Sequence, residues 1–492
     1  MQEYTDVDAI DEFNLARTQF DYLIERLSSK QYQAKEFADI EATINEEGFE
    51  IMRLLLQGHL DCRSHKEEKS DSVIGKDNIK RTHCRPNQKR SLMTVFGEVE
   101  VHRYGYRAKE ISTCFPMDAE MNLSKDKYSP MLRQKLAKEV AKGSFDEAVE
   151  SINQGTGGKV PKRQAQELSQ RVSQDFDEYY KQKPVIKSKD LLVMSVDGKG
   201  IVVRHQDLRP ATKAASEKST HKLETRLSRG EKRNRKRMAT VAAVYDIAPN
   251  QRTAESILGL MESEEPEQRP KPENKRVWAS LQQDSSEVIE QMFQEALRRD
   301  PKNKRTWLIL VDGQEHQLKV IEETIARHEV NAVVIQDFVH ALEYLWKAAY
   351  CFYDEGSAQA EQWVKEKALS LLHGDVSNAA AGMRRSATKQ ALSQRARKPV
   401  DKCADYLLKN KLRFDYGVAL LSGWPIATGV IEGACRYLVK DRMDITGARW
   451  SVEGAEAVLR LRALHAGGDF DEYMEYHQLC EWRRNYEVRA AA

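Results

Sequence analysis

The sequence predicts an α/β protein: a mixed sheet covered by helices, preceded by mainly helical N-terminal domains and interrupted by an all-helical insertion. Apolar runs typical of buried strands begin only after Pro184. Closely spaced strand signals come first, and further strands then alternate with helical patterns, an order that indicates a mixed rather than a purely parallel sheet. Residues 341–425 follow with helical periodicity and form the insertion.

Length and composition bound the function classes. A chain of 492 residues with 40% hydrophobic residues is expected to form about two to four domains. The formal net charge of +2 says little about binding partners, so partners must be inferred from local clusters of charge. No apolar run is long enough for a membrane span, and the polar, acidic N-terminus does not resemble a secretory signal. Seven unevenly spaced cysteines form no disulfide framework, which favours the reducing cytoplasm.

Two regions open the chain. Residues 1–60 show helical periodicity and are expected to form an arm that packs against the chain or dimerises. Residues 61–127 start with a polar, basic stretch, which is either a loop that touches phosphate or a solvated linker. They continue through 91–107, where apolar and polar residues alternate around Gly97 and predict a β-hairpin.

A helix-turn-helix-like region is predicted over 128–183. Ser144 begins a helix, glycines at 155–158 interrupt it, and Pro161 begins another. Two short helices around a turn fit a DNA-reading motif, although any pair of packed helices gives the same pattern.

The predicted core spans residues 184–340 and is completed by 426–492. Its sequence of strands and helices is the order of a ribonuclease H-like fold, with a Glu- and Pro-rich loop over 249–275. The predicted strands are 191–198, 200–205, 238–247, 306–313 and 331–338, and the predicted helices are 284–298, 316–328, 430–441 and 451–465.

Two of these strands end in Val-Asp-Gly, at 196–198 and 311–313. Each apolar run delivers a carboxylate, Asp197 or Asp312, to a strand end, where ligand sites of α/β sheets collect. Asp-Gly is also a common turn dipeptide, but its recurrence on strands that the fold places side by side favours a site. Paired carboxylates repel each other unless a cation lies between them, and hard oxygen ligands select Mg²⁺ or Mn²⁺.

A third carboxylate is needed to complete a two-metal site, and Glu432 is the candidate. It lies in the first turn of a predicted helix between two glycines. Arg436 and Lys440 follow at i+4 and i+8, so an α-helix places all three on one face, suited to a metal and to phosphate. The alternative is a favourable N-terminal glutamate with a surface ion pair.

Asp337 and His340 form a fourth feature, directly after the last predicted strand. Asp337 is either a metal ligand in place of Asp312 or the cap of the following helix. His340 either joins the strand end to the helix by hydrogen bonds or tunes the site.

The set VDG, VDG, DFVH and IEG resembles the DDE transposases of bacterial insertion sequences, above all the ISKra-type branch and its hAT- and Mutator-like relatives. The resemblance implies that Asp197, Asp312 and Glu432 are the catalytic, metal-binding triad and that Asp337 and His340 are the accessory D-x-x-H motif. Asp312 follows Asp197 by 115 residues and precedes the D-x-x-H aspartate by 25, which fits that pattern. Arg449 belongs to a Gly-Ala-Arg-Trp segment that resembles one near DNA in that branch.

The resemblance implies two-metal cleavage at transposon ends, with joining of the 3′ ends to target DNA and Mg²⁺ or Mn²⁺ as cofactor. It implies double-stranded DNA partners, namely terminal inverted repeats and target DNA, in a bacterial, nucleoid-associated enzyme. Pairing two ends requires a dimer or larger assembly, with Phe20, Leu23 and Leu27 as interface candidates. The predicted DNA-binding residues are Arg226, Arg229, Lys232, Arg233, Arg235, Lys236, Arg237, Arg436, Lys440, Arg449 and Trp450.

Two rival functions and one departure from the family pattern remain. The rivals are a catalytically idle DNA-binding relative and a ribonuclease H-like nuclease that cuts without joining.

Relatives often carry a zinc-binding cysteine pair after the hairpin, whereas here only Cys114 remains. The spacing of the other candidate ligands, Cys62, His65, His83 and Cys84, matches no standard zinc finger.

Overall fold

The structure is a computed structural model that describes residues 12–218, 235–260, 269–445 and 447–487. It divides into two compact units. The first comprises the chain up to Gln182 together with the residues from Gly468 onward, and the second runs from Lys183 to Gly467. The boundary lies beside Pro184, where the composition of the sequence changes.

The first unit contains the predicted hairpin, which is longer than the sequence indicated. Strand His83–Thr94 pairs with Gly97–Arg107, so residues 83–90, predicted as linker, belong to a strand. Gly97 has a φ of 131°, which a glycine at the turn adopts without strain. The other elements are helices Asn14–Ser28, Lys30–Gln33, Phe37–Lys66, Pro116–Glu120, Pro130–Lys142, Phe145–Gly155, Lys162–Val172, Phe176–Gln182 and Phe470–Asn485, with short strands Val73–Ile74 and Lys80–Arg81.

Ser144 begins a helix, as predicted. Its side chain accepts a hydrogen bond from the Glu147 amide while the Glu147 carboxylate accepts one from the Ser144 amide. This capping box satisfies two amides that a helix start otherwise leaves unpaired. The role of this region in reading DNA stays a prediction.

The second unit is built on a five-stranded mixed sheet, whose strands we number β1 Leu191–Val202, β2 Lys236–Ile247, β3 Glu273–Ser280, β4 Trp307–Val311 and β5 Ala332–Gln336. The strand order is β3-β2-β1-β4-β5. Strand β2 runs antiparallel to both neighbours, and β4 is parallel to β1 and to β5. This mixed α/β arrangement is consistent with a ribonuclease H-like fold.

One strand predicted from the sequence is wrong, and one observed strand was missed. Residues 200–205 do not form a separate strand, because β1 continues through Gly198 and Gly200, which pair with Thr240 and Met238 of β2. The glycines permit close packing of the strands here rather than a turn. The predicted strand 238–247 is confirmed as part of β2, whereas β3 was missed and begins in the segment predicted as a loop.

The helical insertion packs against the sheet. Val193, Leu308 and Ile335 of the sheet share one buried cluster with Leu345 and Leu407 from the helices that follow β5. Burying such side chains contributes about 1.5–3 kcal/mol each, so this contact holds the helices against one face of the sheet. The helices of the unit are Pro210–Glu217, Ala254–Ile257, Ser285–Arg299, Glu315–His328, Phe338–Ala349, Ala358–Leu372, Val376–Lys389, Lys398–Lys409, Tyr416–Leu421, Gly429–Ala434, Asp441–Met443 and Val452–Gly467, with 3₁₀ turns at His205–Asp207 and Lys411–Arg413.

No helix in the part of the chain that the structure describes is both long and apolar enough to span a membrane.

Candidate active site

The strand register aligns three of the sequence-predicted carboxylates. Leu192 of β1 pairs with Trp307 of β4, an offset of 115 residues, and Val311 of β4 pairs with Gln336 of β5, an offset of 25. These offsets equal the spacings between Asp197, Asp312 and Asp337. In this register the three aspartates form a row that lies just beyond the last paired residues of β4 with each of its neighbours.

Asp197 lies within β1 rather than at its end, so its Val-Asp-Gly segment is not a turn. On one side it pairs with Val241 of β2. On the other side, the pairing of β1 with β4 ends at Ser195 and Leu310. The half-buried Asp197 carboxylate therefore lies where β1 loses its parallel neighbour and becomes accessible on a rigid support.

Asp312 directly follows β4 and turns the chain as predicted. Gly313 has a φ of 94°, and a Cβ atom at this position would lie 2.7 Å from the Gln336 amide nitrogen. The half-exposed Asp312 carboxylate accepts one hydrogen bond, from the Gln314 amide at 3.0 Å. Asp312 lines a cavity of about 630 Å³, and its carboxylate has acceptor sites that this one hydrogen bond does not fill.

Asp337 is only 2% exposed, and its hydrogen bonds fill its acceptor sites. One oxygen accepts from the amides of Val339 and Thr428, both at 3.2 Å. The other accepts from the His340 amide at 3.2 Å and from the Thr428 hydroxyl at 2.9 Å. A carboxylate offers about four lone-pair sites, so this arrangement favours the capping role for Asp337 over that of a metal ligand.

Glu432 lies on the short helix Gly429–Ala434, here called the Glu432 helix. The residue is exposed, and its Oε1 atom lies 3.1 Å from the Thr428 hydroxyl. Through that hydroxyl the structure brings Glu432 next to Asp337 and the end of β5.

Cys435 contacts Asp197 from the same segment of chain. Its Sγ atom lies 3.2 Å from Asp197 Oδ2, while Asp197 Oδ1 accepts the Gly198 amide at 2.6 Å. Burial raises the pKa of the Cys435 thiol, and the Asp197 charge and hydrogen bond raise it further, with a smaller contribution from Glu432. The thiol is therefore neutral and donates its proton to the carboxylate.

His340 and two tyrosines border the cavity beside Asp312. The Tyr344 and Tyr406 rings stack with their centroids 4.1 Å apart, and the His340 ring meets both edge-on. The Tyr406 hydroxyl accepts a hydrogen bond from the side-chain amide of Gln336 at 2.7 Å and donates one to the backbone carbonyl of Asp312 at 3.5 Å. Burial raises the pKa of Tyr406 well above its ordinary value, and nearby Tyr344, Asp337 and Asp312 add to this rise, so the hydroxyl keeps its proton.

The donor chemistry of the site fits a hard divalent cation. Asp312 and Glu432 are accessible and make few hydrogen bonds, and Asp197 lies at the same edge of the sheet. Among the described residues, no group of three or more His, Cys, Asp or Glu side chains is gathered closely enough to hold a metal ion.

The predicted basic run has four members, Arg226, Arg229, Lys232 and Arg233, outside the described residues. Lys236 is exposed and lies 3.5 Å from Asp444. Arg237 is committed to the fold, because its guanidinium donates to the backbone carbonyls of Leu281, Asp207 and Gln282. The half-buried Arg235 completes the described part of the run.

The helix face predicted for Glu432, Arg436 and Lys440 is not a continuous α-helical face. The chain winds as a π-helix over Cys435–Lys440, where hydrogen bonds join residues five apart, so i+4 neighbours no longer align. Both cations are nevertheless exposed, and Arg436 lies 3.8 Å from Asp441. Such π-helical turns are frequent at functional sites.

Arg449 is exposed, whereas its neighbour Trp450 is 7% exposed. The Trp450 indole donates to the Met443 carbonyl at 3.1 Å, and the Arg442 guanidinium lies 4.8 Å from the ring centroid. Its backbone also accepts from the Arg204 amide. This burial supports an anchoring role for the ring, and DNA binding by Trp450 stays untested.

The candidate zinc ligands of the first unit do not form a cluster of three or more in the described chain. His65 pairs instead with Glu12 at 2.5 Å. Cys114 is half-buried, and its amide and carbonyl pair with Tyr106.

Comparisons with known proteins give a distant structural likeness. No family model and no curated protein matches the chain. Among solved structures, it is similar to the Drosophila P element transposase strand transfer complex, with 9% sequence identity, a TM-score of 0.24, and coverage of 72% of this chain and 82% of that chain. A likeness at this TM-score carries no argument about function.

Sequence reasoning missed Thr428, Cys435 and Tyr406. Cys435 follows Glu432 by three residues, so helical spacing was an available signal for it. Thr428 gave a weaker signal as the residue before the helix. Tyr406 lies in the insertion, and only the packing of its helix over β4 and β5 brings it to the site.

Proposed function

We propose that the chain is a DNA transposase that cleaves phosphodiester bonds at transposon ends and joins the 3′ ends to target DNA. The observation that carries this proposal is the register row of Asp197 and Asp312 on parallel neighbouring strands, with Glu432 delivered to the same edge. A row of accessible carboxylates on a rigid sheet suits metal-assisted phosphoryl transfer, because such catalysis depends on positioning and charge stabilisation.

Asp197, Asp312 and Glu432 would hold Mg²⁺ or Mn²⁺. Two such ions supply activation of the attacking oxygen and stabilisation of the leaving oxygen at phosphorus. Cys435 orients Asp197 by donating to its Oδ2 atom. Asp337 acts through the fold, since it fixes the helix after β5 and the chain that leads to Glu432.

DNA would be held by exposed cations around this edge. Arg436, Lys440 and Arg449 are exposed close in sequence to Glu432, and the run 226–237 adds several positive charges. Such contacts bind the phosphate backbone and make affinity depend on salt without reading sequence. Reading of the inverted repeats is assigned to helices Phe145–Gly155 and Lys162–Val172, and the paired ends require at least a dimer.

Asp197→Asn tests this function with Asp190→Asn as its matched control. Both residues are half-buried aspartates of the same unit, but Asp190 precedes β1 and its side chain lies outside the carboxylate row. The DNA flanking the gene supplies the terminal repeats as labelled duplexes. We expect Asp197→Asn to abolish Mg²⁺-dependent cleavage while DNA affinity changes little, and Asp190→Asn to cleave normally. Retained nicking by Asp197→Asn contradicts the assignment.

A further inference from the structure

Thr428 lies between two carboxylates at the start of the Glu432 helix. The residue is only 4% exposed. Its hydroxyl oxygen is 2.9 Å from Asp337 Oδ2 and 3.1 Å from Glu432 Oε1, and its amide donates to Asp337 Oδ1 at 3.2 Å. No other described hydroxyl hydrogen bond joins two of the candidate carboxylates.

The Thr428 hydroxyl carries one proton, so it serves only one of these acceptors at a time. Donation to Asp337 completes a two-point attachment, through the amide and the hydroxyl, and leaves both Glu432 oxygens available. Donation to Glu432 holds that side chain toward the strand ends. In this second state, the hydroxyl limits how far the Glu432 carboxylate can turn away from Asp337.

Asp337 is itself fixed to the sheet. Its amide donates to the Val311 carbonyl of β4 at 2.8 Å, and its side chain caps the helix Phe338–Ala349. The next amide, that of Phe338, donates to the Ile426 carbonyl at 2.9 Å. A chain of short contacts therefore runs from the end of β4 through Asp337 and Thr428 to Glu432.

We propose that Thr428 is a positioning residue that holds Glu432 in reach of the cation site, an inference that rests on the proposed function. The hydroxyl, rather than the bulk of the side chain, carries this role. Valine has the same shape but no hydroxyl, whereas serine keeps the hydroxyl and loses a methyl group.

Thr428→Val and Thr428→Ser are compared with the wild-type chain and with the control Thr324→Val. Thr324 is a buried threonine of the same unit whose hydroxyl contacts only its own helix, at Val320 and Arg327. Cleavage of terminal-repeat DNA is measured against Mn²⁺ concentration, and hydrogen exchange of residues 429–434 is measured without DNA. Should Thr428→Val not fold, Thr428→Ala takes its place.

We expect Thr428→Val to need about tenfold more Mn²⁺ for half-maximal cleavage, the size of one lost hydrogen bond to a charged group, with a smaller effect on the rate at saturating Mn²⁺. Its segment 429–434 exchanges faster, while Thr428→Ser and Thr324→Val stay near wild type. If the wild-type chain cleaves DNA and Thr428→Val needs no more Mn²⁺ than the wild type, the positioning role of Thr428 is wrong while the proposed function stands. A wild-type chain that cleaves no DNA overturns the proposed function and this inference with it.

Discussion

Replacing Asp337 by asparagine removes one acceptor from a fully occupied, buried carboxylate. If the NH₂ group of asparagine takes the place of Oδ1, it meets the amides of Val339 and Thr428. If it takes the place of Oδ2, it meets the His340 amide and the Thr428 hydroxyl. The Thr428 hydroxyl can rotate and accept, but the His340 amide cannot. A buried donor without a partner costs about 1–3 kcal/mol, which for a unit of this size lowers the melting temperature by roughly 2–10 °C.

The same change at Asp312 has the opposite profile. Asp312 is half-exposed and accepts only the Gln314 amide, which the oxygen of asparagine still accepts. We therefore expect a change in unfolding free energy of about 0.5 kcal/mol or less. In its proposed role as a metal ligand, however, Asp312 would contribute several kcal/mol to the transition state, so we expect Asp312→Asn to lower the cleavage rate by about 10³-fold or more.

The two variants are purified in parallel, and each is measured by thermal unfolding and by Mg²⁺-dependent cleavage of terminal-repeat DNA. Asp337→Asn is expected to unfold earlier and to keep measurable cleavage below its melting temperature. Asp312→Asn is expected to melt like the wild type and to be inactive. The reverse outcome, with a stable, inactive Asp337→Asn and an active Asp312→Asn, refutes the assignment of Asp312 over Asp337.

Two further predictions concern DNA binding and assembly. Replacing Arg233, Arg235 and Lys236 with alanine should weaken binding to all DNA sequences alike and flatten the salt dependence, as fewer counterions are released; loss of only the specific binding would contradict a backbone role. Phe20→Glu should shift the chain toward monomer in sedimentation, because Phe20 is 52% exposed on helix Asn14–Ser28, whereas its neighbour Leu23 is 7% exposed and packs within the chain. An unchanged oligomer would remove Phe20 from the interface.

Asp197 and Asp312 were predictable as site residues because each directly follows an apolar run in a Val-Asp-Gly segment. The observed register of β1 against β4 has the same offset of 115 residues as Asp197 and Asp312, so aligned apolar runs bring the two aspartates level. The apolar runs identified β1, β2, β4 and β5, since buried strands differ sharply from the polar segments around them.

Other features depended on tertiary contacts that the sequence does not show. Gly198 and Gly200 looked like a turn but extend β1, because pairing with β2 holds them straight. Strand β3 was missed since its first half, beginning at Glu273, is polar and follows a Pro-rich stretch. The saturation of Asp337 depends on Thr428, which arrives from 91 residues further along the chain.

The measurement that tests the central claim most directly is strand transfer by the wild-type chain with Mg²⁺ and pre-cleaved terminal-repeat DNA, offered a target plasmid. The account predicts covalent joining of the transposon 3′ ends to the target, lost in Asp197→Asn and kept in Asp190→Asn. Cleavage of the ends without any joined product would contradict a transposase and indicate a nuclease built on the same sheet.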